Sequence, residues 1–285
     1  VKTWGPILLC AVLLLVGCGA RSGHAQSPEE AAASEAAALR SQLPSAAPNV
    51  PGTPVPVPPQ PAALVKNRIF TAGQLTSTCT EPAGTFDTVE LLQEYYAQLV
   101  DCLNKAWGPV VRKAGFSFRG PRLSVLPRMP SGYSDNAGYY QDGHIYIVAE
   151  LDLDLEKKDP ELNRVFRAFL IAHEYGHHLQ ALTGVFAAKY ERDATLNGVD
   201  ARWQENRRME LQADCLGGAF LGAAKKSFGI DAHWVQRWNE VFTWFEDPAS
   251  DHGQGTTRQT WAVKGLDAAG PAACNTYQAA PIEVR

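Results

Sequence analysis

Residues 173 to 180 read His-Glu-Tyr-Gly-His-His-Leu-Gln, placing three of the chain's seven histidines within six positions. His173 and His177 are four residues apart. On an α-helix they stand about 40° apart around the axis and roughly 6 Å apart along it, so that two imidazoles on one face can share a metal ion. Glu174 projects from the same rim, where its carboxylate could take a proton from a metal-bound water. That H-E-x-x-H arrangement is suited to metal-assisted hydrolysis. His178 lies about 100° round from His177 and is expected at the surface or behind the ligands, not among them.

A catalytic zinc takes three protein ligands and keeps one open position. The third is expected from Glu-Leu-Gln-Ala-Asp-Cys, residues 210 to 215, where Glu210 and Asp214 again stand one above the other at i and i+4. Glu210 is read as the ligand, with His233 and His252 as alternatives. Asp214 is then placed to accept a hydrogen bond from the outer nitrogen of His173 and so fix its tautomer. In the resulting reaction zinc lowers the pKa of its water, Glu174 accepts the proton, and the attacked group is a polarised carbonyl, most naturally a peptide bond. His252, Arg258, Tyr190 and Tyr277 are the residue types available to meet the oxyanion. Two imidazoles and a carboxylate also suit iron; the position of Glu174 favours zinc and hydrolysis.

These residues need helices to hold them. The spacing predicts a helix opening at Pro160, carrying Val165, Phe166, Phe169, Leu170 and Ile171, and stopping at Gly184. Further helices are expected over about 200–225 and 231–245, with short irregular segments closing the chain. Asp87-Thr-Val-Glu90 resembles a capping box ahead of a helix whose apolar residues run from Leu91 to Trp107, until Gly108-Pro109 interrupts it. Arg122–Leu126 and His144–Val148 read as strands with a loop between them. Residues 185–200 read as an insert able to cover a cleft or dock a partner.

The chain has 285 residues, 45% hydrophobic and 20% charged, with a net charge of -4 and a pI near 6.0. Its basic residues form no stripe, which argues against nucleic acid as a partner. The first 17 residues combine Lys2 with an apolar run from Ile7 to Val16 that is too short to span a bilayer, the pattern of an export signal. Leu-Val-Gly-Cys at its end resembles a bacterial lipobox, making Cys18 the expected lipidated residue. Residues 18–63 are rich in Ala, Ser and Pro and are read as a tether, and 64–285 as one globular domain. The expected location is outside the cytoplasmic membrane, anchored by lipid. Disulfides persist there, and of three possible pairings the two shorter loops are favoured: Cys79 with Cys102 and Cys215 with Cys274. Composition and spacing carry no signal for oligomeric state.

The combination of HEYGHH, ELQADCLGG and the late segment DHGQGTTRQTWAVKGLDAAGPAACNTY resembles the bacterial family of putative neutral zinc metallopeptidases, over about Cys79 to Tyr277. The resemblance implies a zincin-like α+β fold, mainly helical with a small mixed sheet, whose edge strand runs along a cleft for extended peptide. His144–Val148 is the strand it suggests. It implies one Zn2+ held by His173, His177 and Glu210, Glu174 as base, Asp214 behind the ligands, and His252 of the late His-Gly pair as the first choice for oxyanion contact. The sequence departs from the family after Gly253, where it reads QGTTRQ, and at Gln141, where relatives often carry a cysteine. The expected activity is peptide-bond hydrolysis at the cell surface. The competing expectation is a non-catalytic zinc-containing surface lipoprotein that binds a partner protein.

Overall fold

The computed structural model describes residues 59–129, 137–245 and 252–285. The expected signal segment, Cys18 and the tether up to residue 58 lie outside the described residues. No described helix is long and apolar enough to cross a membrane.

The architecture is mainly helical with one three-stranded sheet. A short helix α1 (Ala62–Val65) is followed by α2 (Val89–Lys113), then β1 (Arg122–Leu126), β2 (Gly138–Gln141) and β3 (His144–Val148). Next come α3 (Ala149–Lys158), α4 (Pro160–Leu182), α5 (Val185–Asp193), α6 (Val199–Ala223), α7 (Ala232–Phe242) and α8 (Gly255–Ala268). The chain is already packed at Pro59 and Gln60: Arg192 donates to the Pro59 carbonyl at 3.1 Å and Gln60 to Glu205 at 2.7 Å.

Local chemistry explains the boundaries. Asp159 caps α4 by accepting from Leu162 N at 3.0 Å, with Pro160 in the first turn where its missing N–H costs nothing. Asp231 caps α7 in the same way through Trp234 N. On α2 the cap is Thr88, whose hydroxyl accepts from Leu91 N, one residue later than the expected Asp87. That helix also continues through Gly108-Pro109 to Lys113, because Trp107, Val110 and Val111 are all buried on its core face and packing outweighs the one lost backbone bond.

Three further expectations are corrected, for residues 138–141, for the C-terminal segment and for the edge strand. Residues 138–141, read as loop, form β2. The insert contains α5, and the C-terminal segment, read as irregular, contains the fourteen-residue α8. Helix α8 shows no apolar stripe in the sequence because the one face it buries carries Gly255, Arg258 and Gly265 beside Trp261, Ala262 and Leu266. The sheet order is β1-β3-β2, so His144–Val148 is the central strand, parallel to β1 and antiparallel to β2. The strand at the edge is β2.

Helices α4, α6 and α8 pack face to face through residues too small to hold them apart. A Cβ at Gly176 of α4 would stand 2.8 Å from the Ala213 backbone of α6, and one at Gly217 of α6 would stand 3.0 Å from the Ala172 backbone. Gly218 and Gly222 meet Ala262 and Leu266 of α8 in the same manner, and Gly265 meets Cys215. Any side chain there would push apart the helices that carry the histidines and the acids. Cys215–Cys274 ties α6 to the C-terminal segment and Cys79–Cys102 ties the segment before α2 to that helix, the two pairings favoured from loop length.

Candidate metal centre

The close seam between α4 and α6 brings His173, His177 and Glu210 together, each buried, with one donor atom from each lying within 4.8 Å of the others. His173 Nε2 and His177 Nε2 are 3.1 Å apart, and Glu210 Oε2 lies 3.5 Å from the first and 3.2 Å from the second. The outer nitrogens decide what these inner atoms are. Nδ1 of His173 is 2.7 Å from Asp214 Oδ1, an acceptor only, so it carries the proton. His177 Nδ1 is 2.9 Å from Gln180 Oε1. Gln180 donates its own NH2 to the Met209 carbonyl at 2.7 Å and to Gln212 Oε1 at 3.1 Å, so its oxygen must face His177 and accept. Both imidazoles therefore carry a proton on Nδ1, and in their neutral form both Nε2 atoms present lone pairs to one point.

Three acceptors thus converge: two imidazole nitrogens and Glu210 Oε2, which is buried without a hydrogen-bond partner among the described residues. A proton can serve one pair of them at a time, whereas a metal ion serves all three. This donor set, two nitrogens and one carboxylate oxygen with both outer nitrogens hydrogen-bonded, fits a catalytic zinc. The electrostatics agree. Burial disfavours the charged form of His173, but the carboxylates of Asp214, Glu210 and Glu174 outweigh it and push its pKa up to about 10. Burial likewise raises Glu210, yet the imidazoles of His177, His252 and His173 hold it well below the usual carboxylate range. A field that binds a proton this firmly also draws in a divalent cation.

Asp214 is fully buried, and α8 supplies its counter-charge. Arg258 grips it with both arms, Nε to Oδ2 and Nη2 to Oδ1, each at 2.8 Å. Burial pushes Asp214 up, but Arg258 and His173 bring it down to about 2. Arg258, one of the oxyanion candidates, is thus committed behind Asp214.

Glu174 is 4% exposed, and burial raises its pKa. Its Oε2 has no hydrogen-bond partner among the described residues, and a Cβ on Gly138 of β2 would come within 3.1 Å of its Oε1. The edge strand therefore passes directly over this carboxylate, and a side chain at position 138 would crowd it. Val148 N–H donates to the Ala137 carbonyl, so with the β2–β3 register the pairs at Tyr139/Tyr146 and Gln141/His144 are the hydrogen-bonded ones. Gly138 and Tyr140 turn their N–H and C=O groups to the outer side, where no strand pairs among the described residues.

His252 reaches the site, with Nε2 3.5 Å from Glu210 Oε2 and its side chain 37% exposed at the open side. His233 does not: it is exposed and pairs with Glu161 at 2.8 Å on the outer surface of α4 and α7. Tyr277 is buried in a separate cluster with Leu64, Val185 and Ala188, and Tyr190 is 59% exposed on α5. His178, expected at the surface or behind the ligands, is 1% exposed. It donates to the Arg119 carbonyl and accepts from the Tyr140 hydroxyl, tying β2 and the segment before β1 to α4, because the sheet covers that side of the helix. Gln180 was not singled out from the sequence, although its place three residues after His177 put it within reach.

A family profile described as "Putative neutral zinc metallopeptidase" matches residues 74–236. The chain belongs to this family. Among similar proteins, YpfJ of Escherichia coli (strain K12), named as uncharacterized, is 28% identical over 198 residues, covering 60% of this chain and 66% of that one. An uncharacterized protein of Mycobacterium bovis, Mb2605, is 28% identical over 139 residues, covering 40% of this chain and 45% of the relative, and Rv2575 of Mycobacterium tuberculosis matches equally. The chain thus spans just under two thirds of the E. coli relative and under half of the mycobacterial ones. No solved structure matches it. The family match covers the two histidines, Glu174, Glu210 and Asp214. His252, Arg258 and Cys274 lie beyond its C-terminal limit.

Proposed function

We propose that this neutral zinc metallopeptidase family member hydrolyses peptide bonds, with one zinc held by His173, His177 and Glu210. The observation that carries the reading is the convergence of three buried acceptors whose outer hydrogen bonds leave only lone pairs facing inward. Zinc, when bound, supplies Lewis acidity, which makes water a stronger acid and a carbonyl a better electrophile. The protein's own groups do the rest. Glu174, kept basic by burial and with an Oε2 that has no hydrogen-bond partner among the described residues, takes the proton of the attacking water and returns it to the leaving nitrogen. His252, at the open side, contacts the oxyanion that develops on the substrate carbonyl. Asp214 and Gln180 hold the imidazoles in their tautomers, and Arg258 keeps Asp214 charged. The outward-facing groups of Gly138 and Tyr140 pair with the backbone of an extended peptide, which brings its carbonyl beside Glu174.

Export and lipid anchoring through Cys18 belong to the same proposal and rest on the N-terminal sequence. The two disulfides are compatible with an oxidising compartment.

The test is zinc content together with hydrolysis of a quenched peptide library by the oxidised chain and its Glu174→Gln variant. One zinc per chain in both, with turnover lower in the variant by roughly 10²–10⁴-fold, is expected. Zinc in both with turnover in neither would instead favour a zinc-containing protein that binds a partner.

A further inference from the structure

Beyond His177 the helix α4 continues for one turn to Ala181, and there a cavity of about 390 Å³ opens between α4, α5 and the end of β2. Ala181 lines it, together with Tyr140, Phe186 and Tyr190, and Arg119 and Asp142 also border it. Its rings form a chain that starts at the metal centre: His177 to Phe186 is 5.9 Å between centroids, Phe186 to Tyr190 is 6.2 Å, and Phe186 to Tyr140 is 6.0 Å. We propose that this cavity is a specificity pocket taking an aromatic side chain of the peptide substrate, with Phe186 and Tyr190 selecting it. The proposal rests on the peptidase reading above and adds the substrate class to it.

Three observations place the pocket in the path of the peptide. Ala181 is four residues after His177, about 6 Å along the helix, and two residues of extended chain advance about 6.6–6.8 Å, the distance between side chains on the same face. Strand β2 runs alongside, with Gly138 over Glu174 and the Tyr140 ring 5.6 Å from that of His178. A peptide paired with the outer groups of Gly138 and Tyr140 therefore carries its backbone from the reacting carbonyl to the cavity mouth. The volume lies in the range of roughly 300–1,000 Å³ in which proteins bury small ligands.

The lining chooses the chemistry. Tyr140, Phe186 and Tyr190 offer ring faces and edges, and Ala181 leaves the helix side low. Arg119 and Asp142 carry opposite charges, so the pocket has no net charge with which to select an acidic or a basic residue. An uncharged ring meets aromatic edges and a guanidinium at once, and both contacts favour it.

Binding, read without turnover, separates this inference from the one it rests on. Peptide hydroxamates bearing either Phe or Ala at the variable position, in two series extending to either side of the zinc-binding group, would be titrated calorimetrically into zinc-loaded protein. In one of the two series the Phe compound should bind about tenfold tighter or more. Tyr190→Ala, at an exposed position where folding is not at stake, should narrow that ratio to within about twofold, and Ala181→Phe, which fills the cavity from the opposite wall, should do the same. Equal affinity of Phe and Ala compounds in both series, or a preference that survives both substitutions, would overturn the pocket even if the wild type cleaves peptides. Loss of turnover as the peptidase reading's failure would be seen separately, in the comparison with Glu174→Gln.

Discussion

One helix, α4, supports two buried polar clusters, and they solve the same problem in opposite ways. Near its N-terminal end Asn163 and Arg167 face Asp152 and Glu156 of α3. Arg167 lies 3.2 Å from Glu156 and 3.7 Å from Asp152, between the rings of Phe86 and Tyr95 at 4.9 Å each. Asn163 donates to Asp152 at 2.8 Å and to Glu156 at 2.9 Å, and the Tyr96 hydroxyl donates to Asp152 at 2.6 Å. Here the protein supplies its own cation. Two turns further on, His173 and His177 face Glu210, and the inner atoms are all acceptors. Burying carboxylates is costly unless a positive charge accompanies them. The first cluster contains that charge in Arg167; in the proposed function the second leaves the position to a zinc ion. The difference marks the candidate metal centre more sharply than the mere presence of acidic residues, which both clusters share.

Removing the internal cation should produce the largest effect on folding. Arg167→Met keeps much of the bulk between Phe86 and Tyr95 but leaves Asp152 and Glu156 without a counter-charge. It is expected to lower the unfolding free energy in urea by about 3–5 kcal/mol. Zinc per chain in the folded fraction should not change. A variant as stable as the wild type would break the comparison, since the first cluster would then not need its cation.

The pH dependence should sharpen it. Burial pushes Asp152 from its ordinary 3.8 up to about 6, an effect that Arg167 offsets only in part. Between about pH 4 and pH 6 the folded protein keeps a proton at Asp152 that the unfolded chain has released, so the contribution of this group to stability falls as pH rises through that window. The size is up to about 3 kcal/mol, from the difference between 3.8 and about 6. The measurement is the difference in unfolding free energy between wild type and Asp152→Asn, taken from pH 4 to pH 7. It should move in favour of the variant until about pH 6 and then level off; a difference constant with pH would show that Asp152 titrates normally.

The sequence revealed the second cluster far better than the first. His173, Glu174, His177, Glu210 and Asp214 sit on two helices at i and i+4, and that spacing alone fixes which side chains share a face, so the ligand candidates and the Asp214–His173 contact were legible before any tertiary structure. Asp152, Asn163 and Arg167 were not, because their meeting depends on how α3 turns back on α4 after Asp159. Strand β2 and its place at the edge were hidden for a similar reason: four residues of Gly-Tyr-Tyr-Gln alternate too briefly to show a period. Arg258 was read as a group that could face substrate. Only the packing of α8 on α6, through Gly218, Gly222 and Gly265, turns it onto Asp214.

That contact yields the smallest and most specific test. Asp214→Asn preserves size, and its amide oxygen can still accept from His173 Nδ1, so the tautomer survives. What is lost is the charge that makes the imidazole a stronger donor to the metal and that neutralises Arg258. Zinc affinity, measured by competition with a chelator, is expected to weaken about 10–100-fold, or about 1.4–2.7 kcal/mol. If Asp214 acted only through Arg258, by holding α8 against α6, the variant would lose stability to urea while the protein that stayed folded bound zinc as tightly as before. A loss of affinity in protein that remains folded ties the charge on α6 to the metal, and shows that the second cluster, unlike the first, uses its buried carboxylates to attract an ion from outside.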